Sequence, residues 1–104
     1  MNIRFQITIS GMNIQACGFR TYAYELGKSL NLTGIAVYLE HDLLIEVEGE
    51  ASSVHQYVEW IRMGPIESDI SDFSMREIPC SNDKSFQVIG GFIPEKRSDK
   101  VLVA

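Results

Sequence analysis

The sequence is poor in cysteine and proline and contains no long apolar run. Its two cysteines, Cys17 and Cys80, form no C-x-x-C pair and have no metal-ligand spacing, so nothing indicates a disulfide framework or a metal site. No window approaches the roughly 20 apolar residues that a membrane-spanning helix needs. Residues 1–6 alternate polar and apolar side chains and lack the apolar core of a signal peptide, so we expect a cytoplasmic protein.

Positive charge is also scarce. Nine Lys and Arg residues stand against fourteen Asp and Glu, which gives a formal net charge of −5. A net negative field repels polyanions, so we expect neither nucleic acid nor an anionic membrane as a partner. A length of 104 residues with 45% hydrophobic side chains suits one globular domain with its own core.

The hydrophobic periodicity predicts the order β-α-β-β-α-β. Apolar side chains alternate along the first segment and then recur at helical spacing from Phe19 onwards. A second helix is expected to begin at a capping box at Ser53 and to end at Gly64. The predicted strands are 3–9, 35–39, 43–47, 70–78 and 86–89, and the predicted helices are 19–30 and 53–63.

With right-handed crossovers, this order predicts an α+β fold in which an antiparallel sheet carries two helices on one face. That arrangement is the ferredoxin-like split βαβ sandwich (βαββαβ). We expect residues 1–89 to form the domain and residues 90–104 to form a C-terminal tail. The apolar residues 101–103 offer an edge strand as an alternative for part of that tail.

The loop between the first strand and the first helix has the composition of an anion-binding site. The first-turn amides of a helix lack intrahelical partners and lie at the positive end of the helix dipole. Ala16 and Gly18 are small enough to let these amides approach a ligand, and Arg20 adds a planar cation suited to phosphate. The alternative is an ordinary loop in which Arg20 is solvated or paired to a surface carboxylate.

Several segments resemble the acylphosphatase family. Residues 15–20 (Q-A-C-G-F-R) resemble its loop Q-G-V-G-F-R, and residues 60–65 (W-I-R-M-G-P) resemble its W-L-x-x-G-P. Further similar segments are 30–34 (L-N-L-T-G), 46–49 (E-V-E-G) and 85–88 (S-F-Q-V), so the resemblance covers about residues 3–89 in order.

The resemblance implies hydrolysis of the carboxyl–phosphate bond of a small acyl phosphate, without a metal or another cofactor. In that scheme the loop amides and the Arg20 guanidinium bind the oxygens of the phosphoryl group or of inorganic phosphate. They position the group and stabilise its charge. The implied phosphate-binding residues are Gln15, Ala16, Cys17, Gly18, Phe19 and Arg20.

The sequence departs from the family at the residue that orients the attacking water. The family has an asparagine on its second strand; counting from Gly34 gives Tyr38 at that position, and counting back from Gly49 gives Val37. Tyr38, at the position of the family asparagine, is a catalytic candidate beside Arg20. Because neither tyrosine nor valine can replace a carboxamide, we expect weak or absent hydrolysis. The alternative is a non-catalytic relative that binds phosphate or a partner protein.

The loop departs from the family in two further ways. Ala16 replaces the family's first loop glycine, which introduces strain if that position requires a positive φ. The stretch from Gly11 to Arg20 is one residue longer, so it requires a bulge near Asn13 or a new loop shape.

The remaining candidates have ordinary structural interpretations. Cys17 lies near a helix N-terminus and an arginine, which lowers a thiol pKa, but a reactive thiol is the less favoured hypothesis. His41 and His55 are isolated, as expected for a turn and a helix surface. The glutamates at positions 46, 48 and 50 are expected to form a solvated charge run, and the aromatic residues at positions 22, 57 and 60 to belong to the core.

Overall fold

A computed structural model of the chain describes residues 1–65 and 68–93. The elements follow the predicted order β-α-β-β-α-β, and the predicted fifth strand comes after them. The elements are β1 (Asn2–Met12), α1 (Phe19–Ser29), β2 (Thr33–Leu39), β3 (Asp42–Glu50), α2 (Ala51–Met63), β4 (Asp69–Ile78) and β5 (Phe86–Ile93). No helix within these ranges is long and apolar enough to cross a membrane.

The five strands form one sheet in the order β4-β1-β3-β2-β5. The pairs β1–β3, β1–β4 and β2–β3 are antiparallel, as predicted. The additional strand β5 differs from these pairs, because it pairs with β2 in parallel. The short connection of residues 79–85 explains this direction, because it leaves the chain at the end of the sheet where β4 stops. From there β5 can only run back alongside β2.

Both helices pack on one face of the sheet, which confirms the ferredoxin-like α+β arrangement. Their buried side chains meet the inward-facing residues of the central strands in a single cluster. Tyr57 is completely buried there, and its hydroxyl donates to the Ala23 carbonyl oxygen at 3.0 Å, which ties α2 to α1. Gly27 explains how closely α1 approaches β5, since a Cβ there would lie within 2.6 Å of ring carbons of Phe86.

Two predictions about element ends are wrong. The helix α2 begins at Ala51 rather than at Ser53, and no side chain caps it. The capping box is unnecessary because β3 leads directly into α2 and the Ala51 amide donates to the Met1 carbonyl oxygen at 3.1 Å. The last strand extends to Ile93 instead of ending at Ile89, so residues 90–93 of the predicted tail are strand. The possible edge strand at 101–103 lies outside the described residues.

The face opposite the helices contains a buried ionic cluster that the sequence analysis missed. Arg4 is paired across β1–β3 with Glu48 and donates to Glu46 at 2.7 Å, to Glu48 at 2.9 Å and to Asp83 at 3.1 Å. The amides of Ser81 and Asn82 also donate to Glu48, which is only 3% exposed. The predicted solvated charge run is therefore wrong at these positions. The cluster fixes the β4–β5 connection where it crosses from one sheet edge to the other.

Candidate anion-binding site

The loop of residues 13–18 joins β1 to α1 through two short turns. The Cys17 amide donates to the Asn13 carbonyl oxygen at 3.0 Å, and the Gly18 amide donates to that of Gln15 at 3.3 Å. Asn13 has φ 62° and Gly18 has φ 75°, so both lie in the left-handed region. Ala16 does not have a positive φ, and the predicted strain at that residue is absent.

The chain leaves β1 through a turn at the left-handed Asn13. The β1–β4 pairing shifts register just before this turn, but the extra residue there belongs to β4, because Ser10 pairs with Asp72 and Gly11 with Ile70. Asparagine tolerates this conformation better than other residues that have a Cβ. The register shift therefore does not absorb the longer loop, which turns at Asn13 instead.

Three of the six amides in the predicted phosphate-binding segment already donate to protein groups. They are those of Cys17, Gly18 and Arg20. The amides of Gln15, Ala16 and Phe19 make no hydrogen bond to any residue in the described part of the chain. Gln15 and Ala16 are exposed, whereas Phe19 is buried in the core at the first position of α1.

Arg20 lies at the second position of α1, and its guanidinium extends towards β2 and β5. Its Cζ lies 4.4 Å from the centroid of the Tyr38 ring, within the range of a cation–π contact. Its Nη1 donates to the Ile89 carbonyl oxygen at 2.7 Å. These contacts hold the cation beside the loop, at the edge of the first helix turn.

The Ile89 carbonyl accepts this hydrogen bond at an irregularity in β5. Ala36 pairs with Val88, but Tyr38 pairs with Phe92, so β5 contains two more residues than β2 between these pairs. An extra segment of this kind leaves backbone groups out of the ladder. Gly90 lies within it, and a Cβ there would meet no atom within 4 Å. Residues 90 and 91, which are predicted to start the C-terminal tail, are therefore part of the strand beside the site.

Tyr38 connects the loop, the first helix and the second strand. Its side chain is buried, and its hydroxyl accepts from the Arg20 amide at 3.1 Å. The same hydroxyl donates to the Ile14 carbonyl oxygen at 3.2 Å, and the Gln15 carbonyl oxygen lies 3.5 Å from it. The structure thus brings the two catalytic candidates, Arg20 and Tyr38, into direct contact. Val37 is also buried but packs with Leu44 on the opposite face of the sheet.

A groove of about 360 Å³ borders the exposed side of the loop. One wall contains Gln15 and Ala16, and the other is the β2–β3 turn with Glu40, His41 and Asp42. Two carboxylates therefore face the loop across the groove. A dianion that enters here is repelled by this wall and is attracted by the loop amides on the opposite side.

The remaining candidate side chains have ordinary structural environments. The Cys17 thiol is partly buried and points to the Ile14 carbonyl oxygen at 3.7 Å. His55 is exposed on α2, and Trp60, which was expected in the core, is 52% exposed. Within residues 1–65 and 68–93, no group of three or more His, Cys, Asp or Glu residues could hold a metal ion.

The sequence analysis also missed two carbonyl groups that complete the site. The Ile14 carbonyl accepts a hydrogen bond from the Tyr38 hydroxyl, and the Ile89 carbonyl accepts one from the Arg20 guanidinium. The sequence could not reveal them, because a backbone acceptor has no signature in it. Together, the fold and the site define a small α+β domain of the ferredoxin-like type, with an arginine at the head of its first helix and an amide-rich loop before it.

Comparisons with known proteins identify the family. The acylphosphatase family model matches residues 5–88. An acylphosphatase from Clostridium acetobutylicum is 30% identical over 88 residues, which cover 83% of this chain and 96% of that protein. The solved acylphosphatase from Coxiella burnetii superposes with a TM-score of 0.79 at 27% identity, covering 85% of this chain and 93% of the other. The chain belongs to the acylphosphatase family.

The chain is also similar to part of a larger protein. Full-length HypF, solved in a phosphate- and nucleotide-bound form, superposes with a TM-score of 0.85 at 29% identity. The match covers 91% of this chain but only 12% of HypF. Domains of this type therefore occur both as small proteins and within longer chains.

Proposed function

We propose that the chain binds the phosphoryl group of small acyl phosphates, or inorganic phosphate, at residues 15–20 and hydrolyses acyl phosphates weakly or not at all. The observation that carries the proposal is the set of amides at Gln15, Ala16 and Phe19, which have no partner among the described residues. They lie at the positive end of α1, where an anion is favoured. Family membership supports phosphate as that anion, and so does the phosphate-bound form of the related HypF.

In this proposal Arg20 supplies the positive charge that the site needs. Its guanidinium already lies beside the loop, over the Tyr38 ring. A guanidinium has five donors in a planar arrangement, so it can keep the bond to the Ile89 carbonyl and still donate to a phosphoryl oxygen. The exposed Gln15 and Ala16 amides complete the set from the solvent side.

Weak hydrolysis follows from the hydrogen bonds of Tyr38. A hydroxyl has one proton to donate, and that of Tyr38 is committed to the Ile14 carbonyl oxygen. One of its lone pairs is committed to the Arg20 amide. The hydroxyl therefore cannot donate to a phosphoryl oxygen and accept from an attacking water at once, as the family asparagine is expected to do. Loss of such a positioning group commonly lowers a rate by orders of magnitude.

The proposal is tested by combining a phosphate titration with a benzoyl phosphate hydrolysis assay. The wild type should bind phosphate, and Arg20→Ala should bind it at least about tenfold more weakly, because it lacks a charge-assisted bond. Lys28→Ala is the matched control, since it removes a cation from the far end of α1. Hydrolysis by the wild type should remain close to the uncatalysed rate, and Tyr38→Asn should increase it.

Two results would contradict the proposal. Rapid hydrolysis by the wild type that is lost in Arg20→Ala would show an active enzyme. Phosphate binding that is absent, or is the same in Arg20→Ala, would remove the anion site and favour the protein-binding alternative. The exposure of Trp60 (52%) and Met63 (79%) on the last turns of α2 gives that alternative a candidate contact surface.

A further inference from the structure

We infer that the Tyr38 hydroxyl is an intramolecular occupant of the phosphate site and that it sets the affinity of the loop for phosphate. The inference rests on the proposed function, because it concerns the same loop. Tyr38 is here a positioning residue with a second effect. Its hydroxyl stabilises the ligand-free loop by accepting a hydrogen bond from a backbone amide that would otherwise be available to the anion.

The donor in question is the Arg20 amide. As the second residue of α1, Arg20 has no intrahelical acceptor for its N–H. Gly18, the N-cap residue, has no side chain to supply one, and Tyr38 supplies the acceptor from β2 instead. The hydroxyl oxygen is thus a cap that comes from a neighbouring strand, 18 residues further along the chain.

The hydroxyl and a phosphate can make the same pair of hydrogen bonds. Tyr38 accepts from the Arg20 amide and donates to the Ile14 carbonyl oxygen. Inorganic phosphate near neutral pH is a mixture of dihydrogen and hydrogen phosphate, and each of these ions has acceptor oxygens and at least one O–H donor. A phosphate that reaches the Arg20 amide must displace the hydroxyl, so the intramolecular bond lowers the observed affinity.

The ring of Tyr38 has a separate role from its hydroxyl. It lies under the Arg20 guanidinium, 4.4 Å from Cζ to the ring centroid, and belongs to the core cluster. Phenylalanine keeps the ring and the cation–π contact and removes only the competing group. Tyr38→Phe therefore separates competition for the amide from placement of the guanidinium.

The experiment is a phosphate titration of the wild type, Tyr38→Phe and Arg20→Ala, followed by the backbone amide resonances of residues 15–20. We expect Tyr38→Phe to bind phosphate about tenfold more tightly, the equivalent of one hydrogen bond that no longer has to be broken. The Arg20 amide resonance should shift on loss of the hydroxyl and shift again when phosphate saturates the variant. A purely structural role of Tyr38 would give the opposite result, a weaker affinity.

Tyr24→Phe is the matched control. Tyr24 lies on α1 with its ring against Phe86, and its hydroxyl makes no hydrogen bond to the described residues. Its phosphate affinity and its Arg20 amide resonance should match those of the wild type. If Tyr38→Phe does not fold, the displacement can be followed in the wild type, where the Tyr38 ring and Arg20 amide resonances should move along one saturation curve.

The outcomes separate this inference from the proposed function. If the wild type binds phosphate through Arg20 and Tyr38→Phe binds it equally or more weakly, competition by the Tyr38 hydroxyl is refuted, whereas the anion site is supported. If neither the wild type nor Tyr38→Phe binds phosphate, the proposed function itself is refuted. If Tyr38→Phe gains affinity that an added Arg20→Ala removes, the inference is supported.

Discussion

The buried ionic cluster on the open face of the sheet makes Glu48→Gln the most informative stability test. Glu48 accepts from Arg4 at 2.9 Å, from the Ser81 amide at 2.9 Å and from the Asn82 amide at 3.1 Å. Glutamine has the same shape but keeps one acceptor oxygen and no charge. The glutamine NH2 group must therefore face a backbone donor, which removes one hydrogen bond, and the remaining bonds lose the contribution of the carboxylate charge.

The expected loss follows from these three bonds. A hydrogen bond to a charged group contributes about 1.5–3 kcal/mol and a neutral one about 1 kcal/mol. Loss of the Asn82 bond and weakening of the other two give about 3 kcal/mol, within the range for breaking a buried ion pair from one side. Glu50→Gln at the exposed end of the same strand is the matched control and should change the free energy of unfolding by less than about 0.5 kcal/mol.

The effect should also depend on pH, with a defined sign. Burial raises the pKa of Glu48. Hydrogen bonds from the Ser81 amide, Arg4 and the Asn82 amide lower it by more than burial raises it, so the pKa lies below its ordinary 4.5. The ionised carboxylate therefore contributes its full stability above pH 4.5 and loses it as the pH falls through the lower, folded-state pKa. The difference between wild type and Glu48→Gln should be constant near neutral pH and should shrink in acid.

Urea unfolding followed by the fluorescence of the single tryptophan measures this difference at each pH. If Glu48→Gln is as stable as Glu50→Gln, the cluster does not hold the β4–β5 connection. If the difference persists undiminished in acid, the charge of Glu48 is not its cause.

Three further stability predictions follow from single contacts, each measured by the same urea unfolding. Gly34→Ala should cost more than about 3 kcal/mol, because φ is +146° and a Cβ would overlap the Glu46 carbonyl oxygen; a cost below 1 kcal/mol would contradict the geometry. Gly18→Ala should cost only about 1 kcal/mol, since φ is +75° but a Cβ meets no atom within 4 Å, and a cost equal to that of Gly34→Ala would refute the distinction. Tyr57→Phe should cost about 1–2 kcal/mol because the buried Ala23 carbonyl loses its donor, and an unchanged stability would show that this bond contributes nothing.

The sequence predicts the fold well because its signals are local. Alternation along β1 and helical spacing from Phe19 identify elements that the structure reproduces. The errors arise where a distant residue determines the outcome. The ladder between β1 and β3 places Arg4 opposite Glu48, and only this pairing converts a surface-like charge pattern into a buried cluster. The Met1 carbonyl likewise removes the need for a cap at Ser53.

For the candidate site, the sequence proposes residues but does not predict how they are connected. The loop motif proposes residues 15–20, and the two counts along the second strand propose Tyr38 or Val37. In the structure the pleat of β2 turns Tyr38 towards the loop and Val37 to the opposite face. What the sequence cannot supply is the acceptor of each donor. The Ile89 carbonyl becomes available through the β5 irregularity, and the Ile14 carbonyl through the shape of the longer loop.

These departures from the family pattern are mutually consistent around Arg20. A tyrosine in place of asparagine brings a hydroxyl to the first-turn amide and an aromatic ring under the guanidinium. The irregular β5 offers a carbonyl on the other side of the same guanidinium. A side chain held from two sides loses little rotamer entropy when an anion binds, but the anion must compete for the amide. Under the proposed function, this balance suits reversible binding of a phosphoryl group better than repeated turnover, for which a group free to orient water would be needed.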